Sequence, residues 1–304
     1  MNVDLFGNPI IEKTQLKSEF IVPPFSILDT QSGDWQNRKS RWSGLGIKGE
    51  IGRDANCYNF HGIDTNEKGL DKYGRKPMSG ISIFDPVLCE IMYNWFVRKK
   101  GSILDPFAGG SVRGIVANYL DYNYTGIELR EEQVDANIQQ GFDIVFNNKD
   151  IVFGNTPEWI CGDSNKILDT MDRQFDFVFS CPPYYDLEVY CDDPNDLSNM
   201  THNDFNRVYE SIIAKSCKLL NNNRYACFVV GNCRDKNGYM MDLVGTTIRA
   251  FEKSGLKFYN DIILRNCVGS ASLRASTLMT YKKVCKIHQN VLVFVKGNPK
   301  EIVI

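Results

Sequence analysis

Two prolines at the end of an apolar run constrain this chain more than any other feature. Phe177-Val-Phe-Ser-Cys-Pro-Pro-Tyr184 opens as a buried strand and then stops. Proline has no N–H to give a ladder and is excluded from central strands. The chain must leave the sheet there, and in open α/β folds the carboxyl edge of the sheet is where ligands bind. About seventy residues earlier stands Gly101-Ser-Ile-Leu-Asp-Pro-Phe-Ala-Gly-Gly-Ser111, an apolar run that ends in an acid and a glycine pair. The residues after it predict a helix from Ser111 to about Leu120. Strand, tight loop and helix start are the parts from which α/β folds build nucleotide pockets.

The remaining pattern agrees. Strands are expected at Ile103–Phe107, Tyr124–Leu129, Trp159–Asp163, Phe175–Ser180 and Tyr225–Val230, with helices at about 111–120, 130–140, 164–172, 203–220 and 239–254. Such alternation implies a parallel sheet with right-handed crossovers. Lys257–Asn266 and His288–Lys296 read as the last two strands, a hairpin-like pair with a long polar excursion between them. Pro86 opens a further helix, in which Val87, Leu88, Ile91, Met92 and Trp95 recur at three- and four-residue spacing. Residues 1–80 show little periodicity and many turn formers, and read as an irregular N-terminal arm before a main domain at 81–304.

Bulk properties narrow the classes. The chain has 304 residues, enough for a large core, and no apolar run long enough to span a membrane. Its start lacks a basic region before an apolar core, so no signal peptide is expected. Ten scattered cysteines form no CxxC pair and the three histidines stand far apart, which argues against a metal site. Reduced thiols in the cytoplasm are the expectation. A net charge of −2 excludes a broadly basic DNA-coating protein but leaves room for local basic surfaces. Two occur. One runs from Gln36 to Arg53 and includes Arg38, Lys39 and Arg41, and the aromatics Trp35, Trp42, Tyr58, Phe60 and Tyr73 lie among the basic residues of this part of the chain. The other runs from Ile262 to Asn290, includes Arg274, Lys282 and Lys283, and holds no acid. Cations with interleaved aromatics suit nucleic acid, and they equally suit an arm anchored by its aromatics.

Asp105-Pro-Phe-Ala-Gly-Gly110 and Cys181-Pro-Pro-Tyr184, in this order and spacing, resemble the two motifs of S-adenosylmethionine-dependent DNA amino-methyltransferases, which methylate N6 of adenine or N4 of cytosine. The resemblance covers roughly 82–297 and departs from the family at Ser111, where a third glycine often sits, and at Cys181, where Asp, Asn or Ser is usual. It implies a Rossmann-like class I methyltransferase sheet of seven mostly parallel strands, S-adenosyl-L-methionine as cofactor and DNA as partner. Sequence readout is then expected from the 1–80 arm, from 232–240 or from 265–290, because Phe175 follows Ser164 too closely for a recognition insertion. The motifs specify neither the target base nor a restriction endonuclease partner.

Roles follow residue by residue. Asp105, Phe107, Gly109 and Gly110 are expected at the cofactor, the glycines because they lack a Cβ, with Asp105 at the pocket rather than in the core. Glu128, about twenty residues beyond the glycines, suits the ribose diol. Asp163 suits the adenine amine, with Ser164 beside it, and Phe84 lies in a segment expected to enclose the methionine end. A dinucleotide enzyme would need glycine at Ser111. At the target amine, Pro182 is expected to present its carbonyl, Cys181 a second acceptor, Pro183 the turn and Tyr184 a stacking face, with Tyr185 as a second wall. Three readings of position 181 stand: Cys181 in place of serine, Ser180 taking the role, or Cys181 as a nucleophile on a pyrimidine carbon. The acids at Asp186, Glu188, Asp192, Asp193 and Asp196 read as a solvated loop. Methylation of RNA or of a protein amide, and a non-catalytic cofactor-binding regulator, remain the rivals.

Overall fold

A computed structural model describes residues 19–48, 84–187, 189–266 and 271–304. The early aromatics Tyr58, Phe60 and Tyr73 and the cation Arg53 lie outside the described residues.

The central sheet has eight strands: β1 (Ile27–Asp29), β2 (Ser102–Asp105), β3 (Asn123–Glu128), β4 (Glu158–Cys161), β5 (Phe175–Ser180), β6 (Leu220–Val230), β9 (Lys257–Arg265) and β10 (His288–Lys296). Their order is β1-β9-β10-β6-β5-β2-β3-β4. Strand β10 runs antiparallel to both of its neighbours, and the other pairings are parallel. Apart from β1, this is the expected Rossmann-like class I methyltransferase sheet with its terminal hairpin. The eighth strand is the addition. Ile27–Asp29 pairs with Ile263–Arg265 and covers what would otherwise be the free edge of β9.

Helices cover both faces. Helices α1 (Gly33–Gly44), α2 (Pro86–Phe96) and α3 (Val112–Tyr119) pack on one side, where Trp35, Met92, Tyr93 and Val116 meet Phe177 and Phe179. Helices α5 (Ser164–Thr170), α6 (His202–Leu219) and α7 (Leu243–Lys253) pack on the other, around Phe205, Tyr209, Phe228 and Phe251. Helix α4 (Glu131–Asn147) lies beside β3 and β4.

Within the stretch read as an irregular arm, α1 is an ordered helix. Ser32 caps it, accepting from the Trp35 backbone N–H, and Trp35 and Trp42, two turns apart on the same face, are both buried. Their indoles donate to Asp85 (3.2 Å) and Glu90 (3.0 Å) of the α2 segment. These two tryptophans are anchors and present no stacking surface. Two buried aromatics among polar residues gave too weak a period to read as a helix. Helix α8 (Ala271–Thr280) and the short ribbon of β7 (Cys233–Arg234) and β8 (Met240–Met241) were likewise not legible in the sequence. Among the described residues no helix is long and apolar enough to cross a membrane.

Candidate active site

The site forms where β2, β3, β4 and β5 end. Asp105 closes β2 and is fully buried, so it does not face the cavity as expected. Its carboxylate accepts from Arg113 Nε (2.5 Å), Tyr124 Oη (2.7 Å) and Ser180 Oγ (2.6 Å). Arg113, on α3 and buried with it, donates to the carbonyls of Phe107 (2.7 Å) and Ala108 (2.8 Å), and its guanidinium lies 4.5 Å from the Phe84 ring centroid. Burial works to lower the Arg113 pKa, but the adjacent carboxylate outweighs it and the net direction is upward. The pair thus holds the 105–110 loop from beneath. Ser180 is part of that support, since it also accepts from the Phe107 backbone N–H (3.2 Å). It is not available as a target acceptor.

The loop then turns toward the cavity. Gly109 adopts φ +52°, a left-handed conformation that suits glycine. Its N–H donates to Glu128 Oε2 (2.9 Å) and its carbonyl accepts from Asn137 (2.7 Å). Asn137 in turn is bonded by Gln133 (2.9 Å), and Gln133 by Arg130 (3.0 Å), so α4 holds the loop from the side. Ser111, the departure from the glycine pattern, is buried and donates to Gln140 Oε1 (2.9 Å). Glu128 also accepts from the Arg130 N–H (3.1 Å), has the Arg130 guanidinium Nε 3.8 Å away, and lines the cavity. Asp163 caps α5, accepting from Asn165 N with one oxygen (2.8 Å), while the exposed Lys166 ammonium lies 3.4 Å from the other. Ser164 is buried and donates to the Pro106 carbonyl (2.5 Å), a tie between loops. Phe84, Phe107, Gly109, Gly110, Glu128, Asp163 and Ser164 all line one cavity.

Cys181, Pro182, Pro183 and Tyr184 line the same cavity, whose volume is about 590 Å³, within the usual range for small-ligand sites. Tyr184 Oη accepts from Gln289 Nε2 (2.7 Å) and donates to the Val229 carbonyl (3.4 Å), which fixes the ring. Burial pushes its phenol pKa well up, so it stays neutral. The Cys181 Sγ lies 4.0 Å from Tyr184 Oη. Tyr185 is not a second wall. Its backbone turns at φ +54° and its ring is buried against Phe205 and His202, 4.4 and 4.5 Å between centroids. In the acidic loop Asp186 and Asp192 are exposed, as expected of a solvated segment, and Asp196 is the departure. Asp196 is buried and accepts from the N–H groups of Tyr190 (3.3 Å), Cys191 (3.1 Å) and Ser198 (2.9 Å), and this folded loop forms a cavity wall. A short acid that satisfies turn backbone accounts for Asp196 without solvation.

No protein-family model matches the sequence, and no curated protein matches it. Among solved structures the chain is similar to a methyltransferase from Pyrococcus furiosus, 16% identical over 85% of this chain and 100% of that one, with a TM-score of 0.45. It is similar to TrmN from Thermus thermophilus at 11% identity over 70% of this chain and 49% of that one, TM-score 0.45, so it spans about half the length of TrmN. A magnesium protoporphyrin IX methyltransferase from Synechocystis PCC 6803 with bound SAM is 10% identical over 70% of this chain and 79% of that one, TM-score 0.43. It is the strand order that assigns the fold.

The cations named from sequence fall in different places. Arg38 pairs with Glu90 (2.6 Å) and Lys39 with Asp85 (3.1 Å), which ties α1 to α2; Lys39 also lines the cavity. Arg41, Arg274 and Lys282 are exposed and Lys283 is half-buried. The sequence did not single out Arg113, Tyr124, Asn137 or Gln289. A charged residue inside the apolar run Val112-Arg-Gly-Ile-Val116 was the one available signal, for Arg113.

Proposed function

We propose that the protein is an S-adenosylmethionine-dependent DNA methyltransferase that modifies an exocyclic amine, N4 of cytosine or N6 of adenine. The observation that carries this is the single cavity joining the Glu128–Asp163 rim to Cys181-Pro-Pro-Tyr184.

The first half of the cavity fits the cofactor. Glu128 and Asp163 set carboxylates on the cavity wall, the groups a ribose diol and an adenine amine call for, and Gly109 and Gly110 let backbone approach closely. The bound cofactor would supply an electrophilic methyl group on a sulfonium. Phe84 and Phe107 would flank it with apolar surface.

The second half addresses a weak nucleophile. An exocyclic base amine is conjugated into its ring, and acceptors on its N–H groups favour rehybridisation and offset the positive charge that develops. The Pro182 carbonyl and Cys181 Sγ supply such acceptors, and the Tyr184 ring, fixed by Gln289 and Val229, offers a stacking face to an extruded base. The exposed cations Arg41, Arg274 and Lys282 suit phosphates. Arg38 and Lys39 would serve less well, each already holding a carboxylate.

Isotope transfer from labelled S-adenosylmethionine into DNA, RNA and protein tests the reading, with digestion of the DNA to nucleosides and mass spectrometry of the product. The expected product is N4-methylcytosine or N6-methyladenine. Label in RNA or protein alone, or 5-methylcytosine in the DNA, overturns it.

A further inference from the structure

Beyond the cavity, the β7–β8 ribbon and the 271–287 excursion meet on the same edge. The ribbon is rooted in the target motif: Cys233 Sγ lies 3.8 Å from the Tyr184 carbonyl oxygen, and Lys286 Nζ donates to the Asn232 carbonyl (3.4 Å). Its turn is built tightly. Asp235 accepts from the Tyr239 N–H (2.8 Å), Arg234 donates to the Gly238 carbonyl (2.7 Å), and Gly238 sits at φ +90°. A Cβ added at Gly238 would collide with the Lys283 ammonium, which also lies 6.0 Å from the Tyr281 ring centroid. Lys283 therefore bridges the two elements.

What they present outward is unusual for a protein surface. Tyr239 is 73% exposed and Tyr281 76%, against the rule that large aromatics are mostly covered. Around them stand Lys236, Arg274, Lys282 and Lys283, none with a carboxylate partner among the described residues, and the excursion from 266 to 287 contains no acid. Cations alone would suit any polyanion. Exposed rings among them favour one with accessible base faces, because a ring stacks on an unpaired base and gains nothing from a sugar–phosphate edge.

We infer that the ribbon and the excursion form one docking surface for DNA whose bases are unstacked beside the target, with Tyr239 and Tyr281 stacking on them and the exposed Lys236 and Lys282 on the phosphates. This rests on the DNA reading above. Its logic is that extruding a base disrupts the stack next to it, and a surface rooted on Tyr184 is placed to hold that disrupted stretch.

The test compares a fully paired DNA duplex with the same duplex carrying a short central bubble, for the full chain. The wild type is expected to bind the bubble more tightly. Tyr239→Ala/Tyr281→Ala should lose that preference, with affinity for the bubble falling at least about tenfold and the salt dependence unchanged. Lys236→Ala/Lys282→Ala should weaken both probes and reduce the log–log salt slope by about two. Cofactor affinity and thermal unfolding should match the wild type in both variants, since all four side chains are exposed and lie outside the cavity. A wild type that binds DNA without preferring the bubble, or a tyrosine variant that keeps the preference, overturns the inference and leaves the DNA reading standing. A wild type that neither binds nor methylates DNA overturns the DNA reading itself.

Discussion

Replacing Asp105 by alanine should cost the protein a large part of its stability. The carboxylate is fully buried and satisfies one guanidinium and two hydroxyls. Arg113 cannot shed its proton in a protein, so removing its partner leaves a buried charge held only by two carbonyls and the Phe84 ring. Breaking one side of a buried pair typically costs about 3–5 kcal/mol. The Tyr124 and Ser180 hydroxyls each lose an acceptor, worth about 1–3 kcal/mol apiece, but the losses share one network and do not add. A net loss of about 4 kcal/mol is expected, against a total of about 5–15 for most domains. Urea denaturation at neutral pH reads it directly. The double variant Asp105→Ala/Arg113→Met should be less destabilised than Asp105→Ala alone, because it removes the stranded charge. An Asp105→Ala protein within about 1 kcal/mol of wild type, or a double variant worse than the single, would refute the argument. Cofactor binding should weaken as well, because Arg113 holds the carbonyls of the loop that carries Gly109.

Glu128→Ala removes the acceptor from both Gly109 and the proposed ribose site, and calorimetry should show cofactor affinity about tenfold to a hundredfold lower, since hydrogen bonds to charged groups are worth about 1.5–3 kcal/mol. Asp176 is bonded by Arg98 (2.8 Å), Arg224 (3.1 Å) and the Ser102 N–H (3.0 Å); burial opposes its ionisation but these donors win and hold its pKa at about 2. Its folded pKa is depressed, so its stabilisation, about 2 kcal/mol, is present above the unfolded value near 3.9 and fades as pH falls toward 2. The stability gap between wild type and Asp176→Asn should be constant from pH 5 to 7 and shrink below about pH 4; a gap that stays constant to pH 2.5 would count against it. Cys181→Ser offers a better acceptor of similar size and should retain methyl transfer, without covalent trapping of the wild type on 5-fluorocytosine DNA; trapping would instead make the thiol a nucleophile.

The sheet was legible because its signals are local. Apolar runs ending in Pro-Pro or Gly-Gly mark strand ends by backbone chemistry alone, and five helices were found within a few residues because each has a periodic apolar face, whereas α4, expected at about 130–140, runs on to Asn147. The missing parts depend on distant partners. Strand β1 is three residues long and is a strand only because β9 offers it an edge. The role of Asp105 was misplaced for the same reason. The motif locates the acid, but the Arg113, Tyr124 and Ser180 that bury it come from three other elements. Arg38 and Lys39 illustrate the converse, since a basic run shows charge and hides the Glu90 and Asp85 that neutralise it.

The support of the cofactor loop has a consequence for how the two halves of the cavity act together. The Asp105 carboxylate that holds Arg113 also holds Ser180, the residue immediately before Cys181, and Ser180 in turn accepts from the Phe107 backbone. A displacement of the glycine loop therefore has a bonded path of two buried links to the target motif, with little slack in a close-packed interior. On the far side, Gln289 of β10 and Val229 of β6 fix Tyr184, so that motif is braced from two directions. In the proposed reaction methyl donor and acceptor sit on separate loops, and bringing them together to within bonding reach requires that those loops not move independently. The buried cluster at Asp105 supplies that constraint, which is why the acid of the first motif is better placed beneath the cavity than in it.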